Sequence, residues 1–296
     1  MSRVRTALLD RRATRVRPAT DTKVLAGWNG LAASSLAEAG ATLGRPDWIT
    51  AAAEAVRFVL TTMRVNGRLM RSYRSANGKP VIKHMAFCED YGFVVEACLS
   101  LYEATGDFDW LDDARWAADE ALRLFGDSGS GGFFTTGNDA EALVTRPKDL
   151  FDNAIPAANS VMALELQRLT HFTGEISYQE HAVRAMKLVL PTAVRSPTGF
   201  GHMLSAVDFY TDRADEIVIV GSDEHATTPF VEVVRGRWLP NKVLIVAHDP
   251  DDDVVKKIPL LQGRATSETK AYVCHDGTCE LPVTTPEHLA AQLDAG

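Results

Sequence analysis

Long uninterrupted apolar runs are missing from this chain. No hydrophobic stretch approaches the roughly 18 uncharged residues that a membrane-spanning helix needs, and no short apolar segment follows a charged start in the manner of a secretory leader. A cytoplasmic location without membrane association is the resulting expectation. Cysteine is scarce, four in 296 residues, which excludes a scaffold built on disulfides. Positive charge is in deficit too: 31 Lys and Arg against 39 Asp and Glu leave a net charge of -8, the wrong sign for a nucleic-acid surface. The exception is the cluster Arg3, Arg5, Arg11, Arg12, Arg15 and Arg17, which Asp10 interrupts. It reads as the solvated face of a helix rather than a targeting arm.

What is present is a chain 46% hydrophobic, long enough for one large domain or two small ones. Cys88 and Cys98 fall in a helical region and read as small buried hydrophobes. Cys274 and Cys279 flank an Asp276-Gly277 turn signal and could face each other across paired strands. Their spacing is not that of a redox Cys-x-x-Cys, and two ligands do not make a zinc site, so no metal or cofactor is expected. The run Asp249 to Asp253 lacks the glycine and distal glutamate of a calcium loop and reads as a solvated turn.

A repeat organises the rest. Gly44, Trp48 and Ala52, then Gly106, Trp110 and Ala114, then Gly174, Tyr178 and Ala182 share one frame: glycine, an aromatic four residues later, alanine eight later. Each glycine ends an apolar helical run where a left-handed cap belongs, and each aromatic opens a second, amphipathic run. Each unit is therefore a helical hairpin with a buried inner and a half-exposed outer helix, and the units stack into a curved double layer, a solenoid or a closed toroid. From about Asp215 the pattern changes. Glu216–Gly221 and Asn241–His248 read as strands of a βαβ-like unit, with a helical segment around Pro229 to Arg237 between them. A hairpin over Ala271 to Val283 and a capped last helix from Thr285 follow. Two parts result, a helical portion over residues 1–214 and a small α/β subdomain over 215–296.

Polar clusters stand at the start of each inner helix. They are Asp21, Thr22 and Lys23 with Trp28 and Asn29; His84 with Glu89, Asp90 and Tyr91; and the stretch Arg146 to Ser160, which holds Lys148, Asp149, Phe151, Asp152, Asn153 and Asn159. That is more polar chemistry than capping requires, and a helix N-terminus favours an oxygen-rich or anionic ligand. The competing reading is a salt-bridged loop. A curved array should bring the clusters together at one end of its inner wall.

The motifs Asp21–Leu31, Glu89–Tyr91, Arg146–Asp149, Asn153–Ser160, Glu216–Gly221 and Ala271–Cys274 resemble the C-terminal part of the YyaL/spermatogenesis-associated protein 20 family. The resemblance implies a mainly α fold, a partial (α/α)6 toroid of helical hairpins of the six-hairpin glycosidase type, akin to N-acylglucosamine 2-epimerases. It also implies thioredoxin-domain-containing relatives, a funnel of carbohydrate-site type and no firmly assigned reaction. The thioredoxin-like domain and the first hairpins of the family are not found in this sequence. Closure of the ring by an N-terminal half or by a second copy is therefore expected.

For a sugar hydrolase or epimerase, Asp90 is the first choice for proton transfer, with Glu89, Asp149 and Asp152 as further candidate carboxylates. Trp28, Tyr91 and Phe151 would be stacking platforms, Lys23, Arg146 and Lys148 donors, and Asn29, Asn153 and Asn159 hydrogen-bonding residues. His84 and His202 are weaker candidates. The alternative is a non-enzymatic helical scaffold or sugar- or partner-binding module associated with a thioredoxin-like domain.

Overall fold

The computed structural model describes residues 2–142, 144–212, 214–248, 252–264, 268–275 and 277–295. Residues 249–251 of the acidic run and Asp276 of the turn signal lie outside the described residues. Helix α1 (Ser2–Ala13) carries most of the N-terminal arginines and buries none of its residues. Three helical hairpins follow: α2 (Ala26–Thr42) with α3 (Pro46–Thr62), α4 (Cys88–Thr105) with α5 (Asp109–Phe125), and α6 (Ala158–Thr173) with α7 (Ile176–Ala193). Helix α8 (Gly201–Thr211) begins a fourth. Helices α2, α4, α6 and α8 pack side by side as the inner layer, and α3, α5 and α7 each pack on their own inner partner.

The repeated frame has a direct physical basis. Gly44, Gly106 and Gly174 turn each hairpin at φ of 62°, 70° and 71°, a left-handed conformation that costs other residues energy. Trp110 and Tyr178 are buried, and Ala52, Ala114 and Ala182 face their inner helices with no exposed surface. Helix α2 is built of small residues because α4 comes almost into backbone contact. A methyl group at Gly30 would lie 2.6 Å from the Phe93 carbonyl oxygen, and one at Gly27 would lie 2.6 Å from Asp90 Oδ1. A polar seam lines the inner layer: Ser34 donates to Glu96 at 3.2 Å, Ser100 donates to Glu38 at 3.2 Å, and Arg168 pairs with Glu165 at 2.8 Å. Burial, then the neighbouring Glu165, pushes Glu96 up to about 8.

Strand β1 (Val24–Leu25) precedes α2, while β2 (Arg64–Val65), β3 (Arg68–Ala76) and β4 (Lys79–Met85) lie between α3 and α4. They form one sheet in which β1, β2 and β4 all pair antiparallel with β3. The β3–β4 hairpin turns at Asn77 and Gly78, both at positive φ as a two-residue primed turn requires. The second sheet has the order β6-β5-β7-β8, from β5 (Asp215–Gly221), β6 (Lys242–His248), β7 (Lys270–His275) and β8 (Thr278–Cys279). Strands β5 and β6 are parallel through the crossover helix α9 (Glu224–Arg235). That helix starts earlier than the segment read around Pro229, because Asp223 caps it by accepting from Ala226 N at 2.9 Å. Helices α10 (Asp252–Lys257) and α11 (Pro286–Leu293) complete the unit, and Thr285 caps α11.

One face of this sheet, with Val218, Val220, Val243 and Ile245, shares the core of the helical layers. The other, with Ile217, Ile219 and Leu244, packs with Phe230 and Val234 of α9 and Leu289 of α11. The sheet meets the C-terminal ends of the inner helices. Glu103 near the end of α4 accepts from Lys242 Nζ at 2.9 Å and Leu244 N at 3.1 Å, and His171 of α6 meets Glu216 at 2.7 Å. The inner-helix N-termini are thus at the opposite rim. Gly30→Ala, which forces α2 off α4, is expected to lower the unfolding free energy by about 1–3 kcal/mol in chemical denaturation. Ala32→Ser on the exposed side of α2 should change it by no more than about 0.5 kcal/mol.

Candidate functional site at the inner-helix N-termini

The starts of the inner helices are joined by side chains that satisfy the backbone N–H groups a helix leaves free in its first turn. Asp90, 2% exposed, accepts from Gly27 N at 3.0 Å through Oδ1 and so ties α2 to α4. Its Oδ2 accepts from Phe87 N at 2.9 Å and from Arg71 of β3 at 2.7 Å. Asp152 does the same for the next pair. It accepts from Ala157 N at 2.8 Å ahead of α6, and from His202 N and Met203 N at 2.9 and 3.1 Å at the start of α8. Asn159 is fully buried; it accepts from Phe133 N at 2.7 Å and donates to the carbonyls of Phe133 and Asp149 at 3.0 and 2.7 Å.

These placements correct the roles expected for several residues. Both oxygens of Asp90 and of Asp152 are taken up by backbone N–H groups or Arg71, so the two carboxylates clamp helices rather than face a ligand. Asn159 is sealed inside the fold. Tyr91 is no platform: its ring is fully buried, and its hydroxyl accepts from Leu69 N and Arg68 Nη1, each at 3.0 Å. Arg146 donates to the carbonyls of Leu124 at 3.1 Å and Thr136 at 3.2 Å while lying over the Phe134 ring. Lys148 is held by Asp127 at 2.7 Å and by the Gly131 carbonyl, and its hydrogen bond brings Asp127 down to about 2. Both cations brace the loop ahead of α6.

A smaller set remains open at this rim. Glu89 has an 18% exposed side chain and pairs with Arg71 at 2.8 Å. Asp149 is held above the usual carboxylate range by burial, then by the charges of Glu89 and Asp152. Trp28 is 59% exposed and Phe151 52% exposed, the latter with its ring 4.8 Å from that of Phe200. Asn153 is exposed and bonds only locally, to the Phe151 carbonyl at 3.2 Å. Asn29 donates to the Leu25 carbonyl at 2.8 Å, and the exposed Lys23 pairs with Asp21 at 2.8 Å.

Arg71 went unnoticed in the sequence, where nothing distinguishes it from the other arginines of β3, yet its Nη1 bridges Glu89 and Asp90. His84 lies on β4 at φ 61° and drops out of the strand register, which runs from Met70↔Met85 to Ser72↔Lys83. This left-handed non-glycine residue interrupts the ladder beside the start of α4 without shifting its register. His202 is pulled below the usual histidine range by burial, and its Nε2 has no hydrogen-bond partner among the described residues. No cluster of three or more His, Cys, Asp or Glu suited to a metal ion occurs among the described residues, and no helix there is long and apolar enough to cross a membrane.

No protein-family model matches the chain. It is 36% identical to human spermatogenesis-associated protein 20 and 33% identical to the rat protein of that name, in each case over 97% of its length. It spans 38% of the length of each relative. Among solved structures, the GH76 α-mannanase of Bacteroides thetaiotaomicron superposes with a TM-score of 0.51 at 15% identity, covering 74% of this chain and 59% of that one. The fold is therefore a partial toroid of the six-hairpin glycosidase type. Over nearly its whole length, the chain is thus a homologue of part of spermatogenesis-associated protein 20.

Proposed function

We propose that the rim formed by the inner-helix N-termini binds a carbohydrate and that Glu89 and Asp149 carry its chemistry, of hydrolase or epimerase type. The observation that supports this reading is two carboxylates, Glu89 paired with Arg71 and the half-buried Asp149, set at the same rim as two exposed aromatic rings. Two carboxylates in unlike surroundings are what acid–base chemistry at a sugar ring requires. Asp149, which holds its proton more tightly than an ordinary carboxyl, is the donor. Glu89, fixed against Arg71, is the charged partner that stabilises positive charge developing at the ring. Trp28 and Phe151 offer apolar faces, with Asn153 and Lys23 as outlying hydrogen-bonding groups. The fold shared with an α-mannanase makes this surface the natural place for such a ligand. The relatives are longer than this chain, and the opposite wall of the site is assigned to the part of the ring not present here or to a second copy. A non-enzymatic scaffold is the alternative outcome of the test.

Thermal-shift screening of a saccharide and sugar-phosphate panel should find ligands that raise the Tm of the native chain. Glu89→Gln and Trp28→Ala should abolish that rise while leaving the unliganded Tm close to native. Asp90→Ala, which leaves two backbone N–H groups without their acceptor and Arg71 with Glu89 as its remaining carboxylate partner, should instead lower unfolding stability by about 3 kcal/mol. A panel with no hits, or hits indifferent to Glu89 and Trp28, would favour the scaffold.

Asp149 also gives a pH signature. A carboxyl whose folded pKa is raised costs stability once pH climbs above its unfolded value of about 3.9, and the cost is complete above the folded value. Asp149→Asn should therefore raise Tm at neutral pH, with the gain shrinking to nothing as pH falls below about 3.9. Denaturation curves of the two proteins across that range measure it.

A further inference from the structure

Away from the rim, Cys274 and Cys279 are joined by a disulfide between neighbouring positions of β7 and β8. Their surroundings differ. Cys274 is fully buried opposite Glu216 of β5, whereas Cys279 is exposed on β8, the edge strand. One guanidinium nitrogen, Arg264 Nη2, reaches both sulfurs, at 2.8 Å from Cys279 Sγ and 3.4 Å from Cys274 Sγ. The guanidinium lies 4.5 Å from the centre of the Tyr272 ring, and its other terminal nitrogen is buried without a hydrogen-bond partner among the described residues. The nearby charges are Glu216, tied to His171 at 2.7 Å, the Asp215–His275 pair at 3.3 Å, and the exposed Glu280.

A fixed cation aimed at two sulfurs has little to gain from a neutral disulfide but much from a thiolate, which it stabilises as an ion pair. Exposure of one sulfur and burial of the other also makes exchange directional. The geometry points to Cys274 and Cys279 as a reversible dithiol/disulfide couple that accepts electrons from an external dithiol, with Arg264 holding the reduced Cys279 as thiolate. A thiolate of the dithiol attacks Cys279 Sγ; the intramolecular S–S bond breaks, and Cys274 leaves and takes up a proton. The second thiol then attacks the mixed disulfide and expels Cys279 beside Arg264. The dithiol is oxidised by two electrons to its disulfide and the protein is reduced by two; of the two protons released, one stays on Cys274 and the other goes to solvent. Cys88 and Cys98, fully buried in α4, do not enter the exchange.

The test equilibrates the native chain in buffers of reduced and oxidised dithiothreitol and counts alkylated thiols by mass, with circular dichroism confirming that the protein stays folded. The couple should reduce and reoxidise reversibly without unfolding. Arg264→Gln should disfavour the reduced form about tenfold, a shift of about 30 mV, and Arg264→Lys should retain most of the native value. Exchange only after addition of denaturant, or an Arg264→Gln protein with an unchanged equilibrium, would overturn the inference. Should Arg264→Gln fail to fold, the alkylation rate of Cys279 in Cys274→Ser decides against pH. A midpoint below the ordinary thiol value of about 8.5 supports the couple, and one at or above it refutes it.

Discussion

The contact on which the rest of the helical array depends is the one between α2 and α4, made at Gly27, Gly30 and Asp90. Two glycines let one backbone reach another, and a single carboxylate then fastens the junction. Because Asp90 also receives Phe87 N and Arg71, it fixes where α4 begins and where β3 crosses in front of it. A buried carboxylate is costly unless every oxygen is satisfied. Here the satisfaction comes from three chain segments at once, so their relative positions cannot drift independently.

The same economy governs the stretch ahead of α6. Asp152 joins α6 to α8, Asn159 threads the glycine loop after α5, and Lys148 and Arg146 donate to backbone carbonyls there. Most of the polar density at the rim is thus structural. Glu89, Asp149, Trp28 and Phe151 stand apart because their side chains are not consumed in this way. The result is a rigid inner set of side chains supporting a smaller free set.

Much of the fold was legible. The frame of glycine, aromatic and alanine is dictated by a left-handed turn and by helical spacing, and both act locally. The start of each inner helix could be located for the same reason. The roles of the residues there could not be read, because Asp, Asn and Ser cap helices with the same atoms they use in catalysis, and only burial and partners tell the two apart. Asp90 and Asp149 look alike in the chain; one is enclosed by N–H donors, and the other is raised by burial and then by neighbouring carboxylates. Arg71 was hidden by distance, since nothing local ties a strand residue to the helix start it will meet. The seating of the β5–β8 sheet on the inner-helix ends was equally hidden, as Glu103 and Lys242 meet only after both parts have formed.

Two of the three hairpin turns limit how such chains can vary. A side chain at Gly106 would touch Val246 of the sheet, and one at Gly174 would press on Pro259 at 3.2 Å, so these corners double as the seats of the α/β unit. Lengthening such a corner would alter the curvature of the ring and lift the sheet in one stroke. Insertions and deletions among relatives should therefore gather on the far side, in the connectors that lead from each outer helix to the next inner one. On that side a change in loop length leaves the architecture standing.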